Sequence, residues 1–181
     1  MSEELLPISV ADVRPAARLS DVLLALNNEH VLELSWLTPE RLAHLAAQAF
    51  YARRIGEIDA FLLAFDEGAD YDSPNFLFFR DHYPRFVYVD RIVVTSSARG
   101  RGLAQRLYHD LFAQAARAGH DRVVCEVNLE PPNPASDAFH TRLGFSSVGS
   151  VSIHGGSKTV RYLLRRLDDY AAVAGGSAST E

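Results

Sequence analysis

From Val87 to Ala104 the chain reads as an apolar run, a glycine turn and the start of a helix. The run Val87–Val94 stops at Thr95-Ser96-Ser97, and Arg99-Gly100-Arg101-Gly102 follows. Leu103, Leu107, Leu111 and Ala115 then recur at helical spacing until Gly119 closes the pattern. Arg122-Val123-Val124-Cys125-Glu126-Val127-Asn128 reads as a buried strand. Strand, helix, strand at this spacing predicts a parallel βαβ unit, because parallel neighbours need a crossover long enough for a helix. The rest of the chain has to be built around it.

The turn itself has chemistry. Glycines let the backbone come close to a ligand, and the first N–H groups of a helix lack intrahelical partners. The helix dipole favours an anion at the same point, and Arg99 and Arg101 add two cations. The stretch reads as a pyrophosphate cradle. A Walker loop would need Gly-Lys-Ser/Thr where Gly102-Leu103-Ala104 stands. A dinucleotide fingerprint would need a third glycine, and position 105 is Gln. The bland alternative, a tight connection with no ligand, stays open on these residues alone.

Composition narrows the classes. The 181 residues suit one domain with a full core, and 48% hydrophobic residues describe a globular chain. Apolar runs fall short of the ~18 residues a membrane helix needs. The start, Met1-Ser2-Glu3-Glu4, is acidic where a signal peptide is basic, and Cys125 is the single cysteine. These point to the cytoplasm and away from the membrane. With a net charge of −5 and no basic cluster beyond Arg99/Arg101 and Arg165-Arg166, nucleic acid is not an expected partner. The histidines are scattered without ligand spacing, so no metal site is expected.

Before the central unit, Ile8–Val10 reads as a short strand, and Leu19, Val22, Leu23 and Leu26 as a helix from Pro15 that breaks at Asn27–His30. Thr38-Pro39 opens a second helix, Glu40 to about Ala52. The apolar connection Val31–Leu37 reads as a lid that packs over something. Gly56–Phe65 reads as a strand, and Asp70–Asn75 is turn chemistry from end to end. After Asn128 come a stiff loop, a short helix from about Ser136 to Leu143, and Val148–Ile153 with Thr159–Leu167 as a hairpin around His154–Ser157. Residues 1–168 are expected to form one domain, and 169–181, rich in Ala, Gly, Ser and Thr, a flexible tail.

Two motifs carry a resemblance. Arg99-Gly100-Arg101-Gly102-Leu103-Ala104 is similar to the acyl-CoA turn of the GNAT acetyltransferase superfamily, Gln/Arg-x-x-Gly-x-Gly/Ala. Asn133, Ser136, His140 and Gly144-Phe145 resemble its second signature, Asn-x-x-Ala-x-x-x-Tyr-x-x-x-Gly-Phe, with Ser at the Ala and His at the Tyr position. The stretches Asp70–Phe79 and Glu126–Phe145 further resemble a bacterial subgroup of acetyltransferases. The resemblance implies an α/β (α+β) fold, with a mixed, mostly antiparallel sheet holding a central, splayed parallel pair. It implies acetyl-CoA as cofactor, an amine acceptor as second substrate, and in many relatives a homodimer. Backbone around Ile92, Val93 and Val94 would pair with the pantetheine arm. The N–H groups of Arg99, Gly100, Arg101, Gly102, Leu103 and Ala104 would hold the pyrophosphate, and Asn133, with Ser136 beside it, would touch the CoA arm. The acyl group would lie between Asp90 and Asn128.

Direct transfer to an amine needs a base, an oxyanion donor and a donor to the leaving thiolate. Asp90 shares a strand face with Tyr88 and Ile92 and is one candidate base; a salt bridge to Arg91 or Arg122 is the bland reading. Glu126, which shares a face with Asn128, is the other. His140 stands where the thiolate donor is expected, and a packing histidine explains it equally well. Cys125 reads as core. The acceptor would be chosen by residues in the 31–37 and 70–75 segments, where His30, Glu33, Asp70 and Asp72 lie in or beside them. The rival function is a non-catalytic acyl-CoA sensor that kept the cradle and lost the chemistry.

Overall fold

The computed structural model describes residues 4–31 and 34–170. In chain order it contains β1 (Leu5–Pro7), α1 (Arg18–Asn28), α2 (Pro39–Gln48), β2 (Tyr51–Ile55), β3 (Ala60–Asp66), α3 (Pro74–His82) and β4 (Val87–Val94). There follow α4 (Leu103–Arg117), β5 (Arg122–Glu130), α5 (Pro134–Arg142), β6 (Ser146–Ile153) and β7 (Lys158–Arg166). The chain divides into two compact units, one holding the chain to Tyr71 with Val89–Leu111, the other Asp72–Tyr88 with the chain from Phe112 on.

In the first unit the strand order is β1-β2-β3-β4, with β1/β2 and β2/β3 antiparallel. β3, AFLLAFD, is buried from Ala60 to Phe65, as a strand covered on both faces must be. α4 lays Leu103, Leu107 and Leu111 into the core at four-residue steps, each at most 1% exposed. In the second unit the order is β4-β5-β7-β6. β4 and β5 are parallel, registered at Val87↔Val123 and Tyr88↔Val124, and the β5/β7 and β7/β6 pairs are antiparallel. The mixed, mostly antiparallel sheet with one parallel pair is the architecture the sequence implied. α4 ends as expected at Gly119 (φ +85°), with His120 N–H on Ala115 O and Gly119 N–H on Ala116 O, both 3.0 Å. This bond pair needs a left-handed residue, which glycine supplies without strain.

Several boundaries differ from expectation. The first strand is Leu5–Pro7, not Ile8–Val10, because the Asp12 carboxylate accepts from Ser9 N–H (2.8 Å) and Ser9 Oγ (2.7 Å) and turns the backbone there. α1 continues through Asn28 rather than breaking at Asn27. α2 starts as read, with Thr38 Oγ1 accepting from Arg41 N–H, but stops at Gln48. The strand Tyr51–Ile55 was hidden because Ala46, Ala49 and Ala52 prolong the helical spacing past its end. Gly56–Asp59 is a turn, with strand only from Ala60. α3 starts at Pro74, inside the stretch read as turn chemistry, and carries Phe76–Phe79. The connection between α1 and α2 is not a buried lid in its described part. Leu37 is buried, but Trp36 is 66% exposed. Leu32, Glu33 and 171–181 lie outside the described residues.

Candidate active site

Thr95 leaves β4 with its N–H on Asp59 O (2.9 Å), and Ser96–Ala98 makes one 3-10 turn. Gly100 (φ +77°) and Gly102 (φ +73°) then take left-handed conformations. A Cβ at either would meet nothing within 4 Å. The glycines therefore serve backbone shape and an open face rather than internal packing. The first bond of α4 runs from Arg106 N–H to Gly102 O (3.1 Å), so the N–H groups of Leu103, Ala104 and Gln105 precede the helical ladder. Arg99 is exposed, and Arg101 pairs with Asp59 at 3.3 Å. Along β4, Asp90, Ile92 and Val94 are partly exposed and alternate with buried Val89, Arg91 and Val93; of the three expected to share a face, Asp90 and Ile92 keep some exposure while Tyr88 is buried.

Both oxygens of Asp90 are engaged. Tyr71 Oη donates to Oδ1 and Arg91 Nε to Oδ2, each at 2.5 Å. The Asp90 and Arg91 side chains are 5% and 3% exposed, so this is a buried ion pair, the bland alternative weighed for Asp90. The guanidinium is a permanent cation, so one Asp90 oxygen is committed to a structural pair.

The second unit holds the other carboxylate. Glu126 Oε1 accepts from Asn75 Nδ2 (2.9 Å) and Tyr88 Oη (3.1 Å). Tyr162 Oη donates to Asn75 Oδ1 (3.1 Å) and so fixes which end of that amide faces Glu126. Burial first, then the Glu126 charge, pushes the Tyr162 phenol up to about 12, so it remains a donor at neutral pH. Phe78 stacks on Tyr162 at 4.0 Å and locks its ring. Cys125, 2% exposed, is core as expected, with its thiol pushed up by burial and then by Glu126.

α5 begins at Asn133, whose Oδ1 accepts from Ser136 N–H (3.2 Å) and whose N–H reaches Asn128 O (3.3 Å). Asn128 is 8% exposed. His140 is 4% exposed, in T-shaped contact with Phe139 and Phe145, ring centres 5.3 Å apart in each pair. Its Nδ1 lies 2.8 Å from Ser136 O, which only accepts, so Nδ1 carries the hydrogen. A neutral imidazole with Nδ1–H has no second proton to give. Burial holds its pKa below 6.5, opposed by the Ser136 carbonyl and Asp137. This geometry is that of a packing histidine.

A stability prediction follows. The folded His140 pKa lies below the unfolded 6.5, so on acidification the unfolded chain takes the proton first. Stability therefore falls as pH drops from the unfolded value toward the folded one. In urea melts at pH 7 and pH 5, wild type should lose more stability than His140→Gln. Equal losses would show that the imidazole titrates normally.

The structure thus joins Asp90 with Arg91 and Tyr71 in one unit, and Ser136 with His140 and Asn133 in the other. Sequence reasoning missed Asn27, Tyr71, Asn75 and Tyr162. Only Arg91 gave a signal, a charge inside an apolar strand. Among the described residues no group of His, Cys, Asp or Glu gathers as for a metal, and no helix is long and apolar enough to cross a membrane.

Solved structures share this fold at low identity. The ribosomal-protein-S18-alanine N-acetyltransferase from Escherichia coli matches with a TM-score of 0.64 at 12% identity, covering 91% of this chain and 93% of that one. An N-acetyltransferase from Staphylococcus aureus Mu50 matches at 0.65 and 17%, covering 91% and 98%. The structure of yncA from Salmonella typhimurium with its cofactor acetyl-CoA matches at 0.65 and 16%, covering 91% and 94%. No curated protein sequence matches the chain. The model of the acetyltransferase (GNAT) family matches residues 28–145, a span holding the cradle, both carboxylates and Asn133 to Phe145. The chain belongs to the GNAT acetyltransferase family.

Proposed function

We propose that this protein is an acetyl-CoA-dependent N-acetyltransferase that acetylates a primary amine by direct transfer, with residues 1–168 as one catalytic domain in the cytoplasm. The acceptor is a small molecule, an amino acid derivative or a peptide N-terminus. The observation that carries the reading is the cradle: two left-handed glycines with open space over them, at the head of a 15-residue helix, in a chain of this family. Acetyl-CoA supplies an activated thioester, whose acetyl carbon forms the new C–N bond as the C–S bond breaks.

The N–H groups from Arg99 to Ala104 receive the pyrophosphate, and the backbone of Ile92, Val93 and Val94 pairs with the pantetheine amides. Asn128, Asn133 and Ser136 serve the CoA arm and the acyl group. Glu126 takes the proton that the ammonium must lose before attack. Its Oε1 accepts from the neutral Asn75 amide and Tyr88 phenol, whereas Asp90 is tied to a cation. The second reading is the non-catalytic acyl-CoA sensor. His140 favours it, since the buried Nδ1–H imidazole offers the leaving thiolate no proton.

A thermal-shift titration with acetyl-CoA, CoA, NAD and ATP tests the cofactor. Ligand at 100 times its dissociation constant adds about 2.7 kcal/mol. A shift with the CoA species alone is expected; no shift, or an equal one with NAD, would overturn the cradle. Thiol release over a panel of amines then separates enzyme from sensor.

A further inference from the structure

On the sequence, acceptor choice is expected in the 31–37 and 70–75 segments; in the first unit Ser35, Leu37 and Tyr71 attach to one buried pair. Asn28 grips Leu37 twice, Nδ2 to its carbonyl (3.0 Å) and Oδ1 from its N–H (2.9 Å). Asn27 Nδ2 donates to Asn28 Oδ1 (2.9 Å) and to Ser35 O (3.0 Å). Asn27 Oδ1 in turn accepts from Arg91 Nη1 at 2.7 Å. Arg91 Nε holds Asp90, and the other Asp90 oxygen holds Tyr71. The chain of bonds is continuous from Leu37 through β4 to Tyr71. Asn27 is fully buried, Arg91 3% exposed and Tyr71 7%.

A buried ion pair is a poor device for stability, since apolar residues of like volume hold a core as well or better. A fully hydrogen-bonded buried network does fix geometry in a directional way. Here it fixes Ser35–Leu37 and Tyr71 against the strand that leads into the cradle. Between the gripped Ser35 and Leu37, Trp36 stands 66% exposed, an aromatic face presented to solvent by an anchored backbone.

We propose that Asn27, Arg91 and Tyr71 are positioning residues for the amine acceptor, with the Asp90–Arg91 pair as the common anchor of Ser35–Leu37 and of Tyr71. This rests on the proposed acetyl transfer. Trp36 is the single tryptophan of the chain and reports on the first segment directly.

The test uses Asn27→Leu, Arg91→Met and Tyr71→Phe in the full chain. Without ligand, Trp36 fluorescence anisotropy should fall in Asn27→Leu, which removes the donor to Ser35 O, and in Arg91→Met, which removes the cation that orients the Asn27 amide, and stay at the wild-type value in Tyr71→Phe. In thiol-release assays with acetyl-CoA and a panel of tripeptides with free α-amino groups, the acceptor KM should rise about tenfold in all three variants. Losing one such buried bond is worth about that factor. The acetyl-CoA KM and kcat should stay within threefold. Arg91→Met strands the Asp90 charge and can fail to fold, so the two neutral changes keep the inference falsifiable. Unchanged anisotropy in Asn27→Leu, or a fall in kcat at constant acceptor KM, would overturn the inference while the transferase reading stands. A wild type that binds acetyl-CoA yet acetylates no peptide, amino acid derivative or small amine would overturn both.

Discussion

Gly102→Asp is expected to raise the dissociation constant for acetyl-CoA by about a thousandfold. The estimate comes from like charges at about 4 Å, which cost about 4 kcal/mol at the effective dielectric of a protein surface. The backbone at 102 is left-handed (φ +73°), and nothing lies within 4 Å of a Cβ placed there, so the new side chain enters open space instead of clashing. That space is where the proposed pyrophosphate sits, and the carboxylate would also compete for the first N–H groups of α4. Gly102→Asn is the control. Asn tolerates the left-handed region about as well as Asp does, so the two variants share the conformational change and differ in charge. Isothermal titration of both with acetyl-CoA separates strain from electrostatics. Asp and Asn variants that both bind like wild type would show that no anion meets this turn.

The turn could be read in advance because its physics is local. A strand end, two glycines and a helix start follow one another in sequence, and both glycines take positive φ with open space over them. The βαβ unit and the hairpin around Gly155-Gly156 were legible for the same reason. β2 was not, because Tyr51–Ile55 carries Arg53 and Arg54 mid-strand and follows alanines that extend the helical pattern. Its strand character comes from pairing with β3, which no neighbour in sequence reveals. Side-chain partners were least legible. Asp90 read as a base or an ion pair, and only the fold supplies Asn27 and Tyr71, one from a helix 63 residues upstream and one from a loop (|i−j| = 64 from Arg91 and 19 from Asp90). Asn75 looked like turn chemistry, yet it sits in α3 bonded across 51 positions to Glu126. Polar networks are closed by long-range contacts, and composition around either partner carries no trace of them.

Glu126→Gln should lower kcat by about 10²–10⁴, the usual worth of a positioned base, with little change in the acetyl-CoA KM. The substitution is nearly isosteric. A Gln at 126 keeps an Oε1 that accepts from Asn75 and Tyr88 as the carboxylate does, so packing and orientation survive while the basic oxygen is lost. Tyr162→Phe makes a graded companion. It removes the phenol that sets the Asn75 amide, leaving the carboxylate present but less firmly aimed, so its loss should be smaller than that of the Gln variant. Thiol release at saturating acetyl-CoA and amine measures both. A full-rate Glu126→Gln enzyme would move the proton acceptor elsewhere, to bulk water or to a carboxylate other than this one. An enzyme slowed equally by Tyr162→Phe and Glu126→Gln would mean that the network holds the fold of the strand and takes no proton. Should wild type show acetyl-CoA binding with no amine-dependent thiol release, neither variant could slow anything. The buried, Nδ1-protonated His140 would then be the residue at which the chemistry was lost.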